Sequence, residues 1–276
     1  MSMTIRTNIS AMMASGQLNR TTKGLSLSLS RISSGMRINK AADDAAGLGV
    51  ATNLESQVIS TRQAMRNTND GISIIQTAEA ATNEVTDILQ RMRELAVQSS
   101  SETLDDDERS YIQDEYLELA EEIDRIANVT AFNGVSLTNN SNTSLDVQVG
   151  IQNDSTSRIA ITLIDLRSTV MGVDSGALSL ASASGAQSAI TALDTALDSV
   201  NSGRSTLGAV QNRLDSALNN SQIFSEAAAA AESQIRDADY ASETSNLTRL
   251  QIMQQAGVAA LSQAKNVSQS VVSLLG

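Results

Sequence analysis

Apolar residues recur along this chain at steps of three and four, the period of an α-helix that buries one stripe. Ile5, Ile9 and Met12 begin one stripe, and Leu18, Leu25, Leu29, Ile32 and Met36 continue it in heptad register. A second run passes through Leu54, Val58, Met65, Ile72 and Ile75 into Ala78, Ala81, Val85, Ile88, Met92 and Leu95. It predicts a helix over residues 54–100, roughly 65 to 70 Å long at about 1.5 Å per residue. The stretch SSSETLDDDERS breaks that helix and supplies a new start near residue 105. Ile112, Tyr116, Leu119, Ile123 and Ile126 then mark a shorter antiparallel partner ending near residue 129.

After Val129 the period changes. FNGVSLTNNSNTS is rich in turn formers, and Leu145, Val147, Val149 and Ile151 alternate with polar residues. Ile159, Ile161 and Leu163 do the same, so a β-hairpin is predicted over residues 143–165 with QNDSTS as its turn. A Gly/Ser/Ala connection follows at about residues 171–186. Helical spacing returns at Ile190, Leu193, Leu197, Val200, Leu207, Leu214 and Leu218, giving a helix over residues 187–232. The final segment carries Ala260, Ala264, Val267, Val271 and Leu274 at steps of four and three. Short connections make neighbouring helices antiparallel. The expected fold is therefore mainly α, an elongated antiparallel bundle or coiled-coil rod with one small β-hairpin region. The middle of the chain lies at one end of it and both termini lie at the other.

Composition sharpens this picture. The 276 residues include only three Tyr, two Phe and no Trp, too few aromatics for a compact core of ordinary size. His, Cys and Pro are absent, which removes the commonest general base, the soft metal ligands and every thiol nucleophile. Catalysis, a metal and a cofactor are not expected. Without proline, long helices run uninterrupted.

The net charge of −12 and a pI near 4.4 argue against nucleic acid, and no apolar run approaches a membrane span. The charge is uneven: up to Lys40 the chain has Arg6, Arg20, Lys23, Arg31, Arg37 and Lys40 and no acid. Such an N-terminus also fits a mitochondrial transit peptide. SAMMASG is too short and polar for a secretory signal, so an extracellular role implies export without a cleaved signal.

Three stretches invite a chemical reading. RINKAADDAAGLGVA, from Arg37 to Ala51, combines a basic turn, two aspartates and Gly-Leu-Gly. Gly47 and Gly49 lack the third glycine of a dinucleotide loop and follow no strand, while Asp43 and Asp44 lack the spacing of a cation loop. The stretch reads as a joint between a terminal helix and the long one, carried by Arg37, Asp43, Asp44, Gly47 and Gly49. Asp105, Asp106, Asp107 and Glu108 fall just after Thr103 at a helix start, where acids complement the macrodipole. The terminal helices pose a different problem: a single stripe, partly Ala and Met, returns less than the backbone entropy of ordering them. They are expected to order mainly against copies of the same chain.

With its flanks, the first stretch becomes SRISSGMRINKAADDAAGLGVATNL, which resembles the N-terminal signature of bacterial flagellins. The resemblance continues through RQAMRNTNDGISIIQTAEAATNEVTDILQRMRELAVQSS, YIQDEYLELAEEIDRIANVTAFNGVSL and IRDADYASETSNLTRLQIMQQAG. It implies a structural subunit of the extracellular flagellar filament, a homopolymer serving motility, in a short form without the variable outer domains. It places an inner-core domain at residues 1–43 with 236–276 and a rod domain at residues 44–235. Leu18, Leu25, Leu29, Ile32, Val267, Val271 and Leu274 would carry inner-core polymerisation.

The resemblance also implies type III export, which displaces the transit-peptide reading, an export chaperone on the C-terminal helix, and contacts with filament cap and hook-junction proteins. LQRMRELAVQ resembles the segment read by the flagellin-sensing Toll-like receptor, so Gln90, Arg91 and Leu95, with Glu115 alongside, are expected both there and between subunits. A hook-filament junction protein of the same architecture is the alternative.

Overall fold

The computed structural model describes residues 7–139, 142–174, 176 and 178–273. In chain order the elements are α1 (Ile9–Ser34), α2 (Ala45–Ser99), α3 (Asp106–Val129), β1 (Ala131–Phe132), β2 (Val135–Ser136), β3 (Ser144–Gln148), β4 (Arg158–Thr162), α4 (Ser168–Met171), α5 (Ala183–Arg236) and α6 (Tyr240–Ser273). The mainly helical class is as the periodicity predicts. Two compact units divide the chain: Met1–Val58 with Ala227–Gly276, and Ile59–Glu226.

In the second unit, two apolar clusters hold the elements together. One joins Val85, Leu89, Met92 and Leu95 of α2 to Ile112, Tyr116 and Ile123 of α3 and to Leu193 and Val200 of α5. The other joins Ile75 of α2 to Leu207 and Leu214 of α5 and to Val147, Ile159 and Ile161 of the hairpin. β3 and β4 pair antiparallel with Leu145 opposite Ile161 and Val147 opposite Ile159. Val147 lies so close over Gly71 that an added Cβ would meet its Cγ2 at 3.0 Å. The hairpin can sit on α2 there because glycine leaves room.

Helix ends follow from local chemistry. Asp105 accepts from the Glu108 N–H at 2.8 Å while Glu108 accepts from the Asp105 N–H at 3.3 Å, a capping box at the start of α3. At the end of α2, the buried guanidinium of Arg109 donates to the carbonyls of Ser99 (2.8 Å), Ser101 (2.8 Å) and Leu104 (3.1 Å). It satisfies the Ser99 oxygen that the end of α2 leaves without a partner and ties down the connection to α3 through Ser101 and Leu104.

The connection before α5 is fastened to α3. Tyr116 donates to the Val173 carbonyl at 3.1 Å, and Asp124 accepts from the Ser168 N–H at 2.8 Å and its hydroxyl at 2.7 Å. Burial pushes the Tyr116 phenol well above its usual range, which keeps it a donor.

Some boundaries differ from expectation. α2 begins at Ala45 rather than near 54, because Asp44 caps it (below). α5 begins at Ala183, a little before 187, and α4, not foreseen, lies between the hairpin and the expected connection. Ile151, expected on the first hairpin strand, falls beyond β3 in the turn and is exposed. A second, smaller hairpin, β1–β2, lies in the stretch read only as turn-rich. Asn133 and Gly134 between its strands have φ of 49° and 80°, the backbone that a two-residue type I′ turn needs.

Candidate assembly surface

In the first unit, α1 and α6 pair antiparallel. The less exposed positions include the cap Asn8 and Ala11, Ala14, Leu18, Thr21, Leu25, Ser28 and Ile32 of α1, and Glu243, Leu247, Leu250, Gln254, Gly257, Leu261 and Ala264 of α6. Both sets step by three and four, so each helix offers one seam. Four contacts fix the register. Asn8 donates to the Ala264 carbonyl at 2.9 Å, Leu18 lies over Gly257, Leu250 lies over Gly24, and Ser28 donates to the Glu243 carboxylate at 2.6 Å. Large side chains of one helix thus face glycines of the other.

Outside the seam the pair presents apolar side chains to solvent. Ile9, Met12, Met13, Leu27 and Leu29 are exposed on α1, and Ile252, Met253 and Val258 on α6. Leu29, placed by the sequence in the same stripe as Leu18, Leu25 and Ile32, is 58% exposed while the other three are half-buried. In the seam its place is taken by Ser28, which sequence hydrophobicity passed over. Val267 and Val271 fall within α6, beyond its last described side chain, and Leu274 and Ile5 lie outside the described residues.

The stretch from Arg37 to Gly49 is a joint built from caps. Arg37 pairs its N–H with the Arg236 carbonyl at 2.6 Å, and its guanidinium donates to the Ile235 carbonyl at 2.6 Å. A cation thereby sits on the negative end of α5. The Asp43 carboxylate accepts from the Lys40 N–H at 2.9 Å and the Asn39 N–H at 3.1 Å, closing the turn. Asp44 accepts from the Gly47 N–H at 2.9 Å and caps α2. A Cβ on Gly47 would come within 2.8 Å of Ile38 Cδ1 and 2.9 Å of Asp44 Cγ, whereas Gly49 has open space around it. The two adjacent aspartates therefore serve different structures. Replacing Asp44 by alanine is expected to lower stability by about 0.5 to 2 kcal/mol and to fray the first turns of α2. Urea midpoints and helical circular dichroism would measure both.

The backbone N–H groups of Lys40 and Asn39 hold the Asp43 carboxyl below its usual range. A lowered native value means the turn is fully supported above the ordinary aspartate pKa of about 3.9 and loses that support as pH falls through the lowered value. Exchange protection of the Asn39 and Lys40 amides is accordingly expected to hold down to about pH 4 and to decline below it. Unchanged protection at lower pH would refute this.

In the second unit, α2 and α3 bring Arg91 and Glu115 together. Arg91 Nη2 lies 2.8 Å from Glu115 Oε1, and its Nη1 lies 3.0 Å from Glu94 Oε2. Both carboxylates raise the Arg91 pKa, Glu115 foremost. Arg93 reaches Asp194 of α5 at 2.7 Å. Gln90, Arg93, Glu94, Val97 and Gln98 line an open hollow beside this pair.

Leu95, which periodicity placed on the apolar stripe and the resemblance placed among the surface contacts with Gln90, Arg91 and Glu115, is 1% exposed, a core residue as the stripe requires and not a surface one. It continues the buried stripe of Met92, Ala96 and Ser99. One turn from Arg91 on the helix, it falls just inside the stripe that α3 covers. The exposed apolar side chain on this flank is Val97, unmarked by the sequence because it stands off the stripe.

Comparison with known proteins accords with this construction. The family model of the bacterial flagellin N-terminal helical region matches residues 5–143, and that of the C-terminal helical region matches residues 190–275. A flagellin of Halalkalibacterium halodurans is 42% identical over 273 residues, covering 99% of this chain and 100% of the relative. The crystal structure of Bacillus cereus flagellin is similar with 34% identity and a TM-score of 0.50, over 56% of this chain and 88% of that one. A flagellar hook-associated protein from Vibrio parahaemolyticus has a TM-score of 0.59 over 71% of this chain and 100% of that one; at 14% identity the likeness is of fold alone.

Terminal helical regions that bracket the chain define a filament-forming structural protein and not an enzyme. The chain belongs to the bacterial flagellin family, as a short form. It is a structural subunit of the extracellular flagellar filament.

Proposed function

We propose that this chain polymerises into the helical filament that propels the cell, with the helices α1 and α6 ordering as neighbouring copies pack against them. The observation that carries this reading is the single seam between the two helices: each buries one face against the other and leaves Ile9, Met12, Met13, Ile252 and Val258 exposed. Burial of such side chains against other copies supplies the free energy that one seam lacks. Within this reading the inner-core part comprises residues 1–43 and 236–276, the remainder forming the surrounding shell. Leu18, Leu25 and Ile32 hold the pair, Leu29 faces a neighbour, and Val267, Val271 and Leu274 extend the stripe. The export chaperone takes the C-terminal helix before assembly, and cap and hook-junction proteins take the growing and anchored ends.

Electron microscopy of purified subunits seeded with sheared filament fragments tests the proposal. Long uniform filaments are expected. Short capped oligomers that never elongate would favour the junction protein instead.

A second reading concerns host recognition. Gln90, Arg91 and Glu115 form an exposed polar patch across α2 and α3, which supports binding of the flagellin-sensing Toll-like receptor there. In the polymer the same patch faces a neighbouring subunit, so recognition is a property of the monomer.

A further inference from the structure

With no Cys, His or Trp, the readily oxidised side chains of this chain are its nine methionines. Their environments differ sharply. Met12 and Met13 are each 67% exposed and Met253 is 40% exposed, all three on the helix pair of the first unit. Met92 is fully buried between α2 and α3, and Met36, Met65 and Met171 are half-buried. Thioether oxidation follows access, so among the methionines of the described residues an oxidant meets those of the α1–α6 surface first.

We propose that Met12, Met13 and Met253 form a reversible oxidation site that gates assembly, a proposal resting on the reading that α1 and α6 pack against other copies. The reaction is a two-electron oxygen transfer. A sulfur lone pair takes one oxygen atom from hydrogen peroxide, the thioether becomes a sulfoxide, and the peroxide leaves as water. Before assembly the new S=O group stays in solvent, because Met12, Met13 and Met253 are exposed and stand outside the seam. When a neighbouring copy covers the surface, that strong acceptor must shed its water against apolar side chains and helix backbone whose N–H groups are already bonded. Burying it without a donor opposes association. The filament conversely covers these thioethers and protects them. Oxidation therefore marks unassembled subunits, and methionine sulfoxide reductases, taking two electrons from a dithiol that becomes a disulfide and releasing the oxygen as water, return them to the assembly-competent pool.

The test treats soluble subunits with hydrogen peroxide, quenches with catalase, maps sulfoxides by peptide mass spectrometry and then follows elongation from untreated seeds. Met12, Met13 and Met253 are expected to oxidise well before Met92, and elongation to slow by about tenfold or more for each buried sulfoxide. Incubation with both reductases should restore it. A triple variant, Met12→Leu, Met13→Leu and Met253→Leu, keeps the apolar volume and should elongate at the same rate before and after peroxide. Oxidised wild-type subunits elongating like untreated ones would overturn the proposal, as would equal peroxide sensitivity in the triple variant. Failure of untreated subunits to elongate would instead remove the assembly reading beneath it.

Discussion

Replacing Leu95 by alanine is expected to destabilise the second unit by about 2 to 5 kcal/mol, the usual cost of removing a buried leucine side chain and leaving a cavity. Leu95 is among the largest fully buried side chains, packed with Met92, Ile112 and Tyr116 in the cluster that joins α2, α3 and α5. Urea or thermal unfolding of the full chain measures the loss directly. The result bears on receptor recognition as well. A drop in receptor activation by Leu95→Ala would reflect a loosened α2–α3 pair, not a deleted contact. Arg91→Ala is the cleaner probe: its guanidinium is half-exposed on the outside of the pair, so the thermal midpoint should barely move. Activation lost in Arg91→Ala with stability intact would support the receptor patch. A Leu95→Ala protein as stable as the parent would contradict the core placement.

Deletion of residues 1–30 is expected to abolish seeded elongation altogether. Without most of α1, the seam of α6 loses its partner, the helix on which Leu250 packs over Gly24 and from which Leu18 packs over Gly257. A helix that depends on one seam does not persist without it, because the propensity of an isolated segment in water is marginal. Circular dichroism of the unassembled truncated chain should accordingly retain the helical signal of the second unit, whose unfolding transition stays where it was. Normal filaments from the truncated chain would refute the assigned role of the terminal helices. Loss of the second unit's transition would show instead that the two units depend on each other for folding.

Much of this was legible beforehand because it depends on short-range periodicity. The step of three and four placed α2, α3 and α5 and their buried residues, since a helix that packs on one side must repeat its apolar positions at that period. The alternation at Leu145, Val147, Ile159 and Ile161 located β3 and β4, and their register follows that pattern. The missing His and Cys and the repeated single stripes by themselves point to assembly and away from catalysis. The acidic run at Asp105 read correctly as a helix start, for a cap needs only residues three apart.

What the sequence left open concerns angles and partners across the chain. Arg91 and Leu95 stand one turn apart; periodicity put Leu95 on the apolar stripe while the family resemblance put it beside Arg91 among the contacts, and the sequence alone does not reconcile the two. The position of α3 decides it. Ser28 and Thr21 occupy the α1 seam while Leu29 faces outward, because the axis of α6, not local apolarity, selects the seam, and Ser28 finds a carboxylate there in Glu243. Asp43 and Asp44 looked alike until the chain reversal gave one a turn to close and the other a helix to cap. The sequence by itself determined the helical class, the order of the elements and the expectation that the terminal helices serve assembly, because these follow from periodicity and composition within short windows. Only the tertiary structure decided which flank of each helix is covered and which is left exposed, because that depends on contacts between residues far apart in the chain.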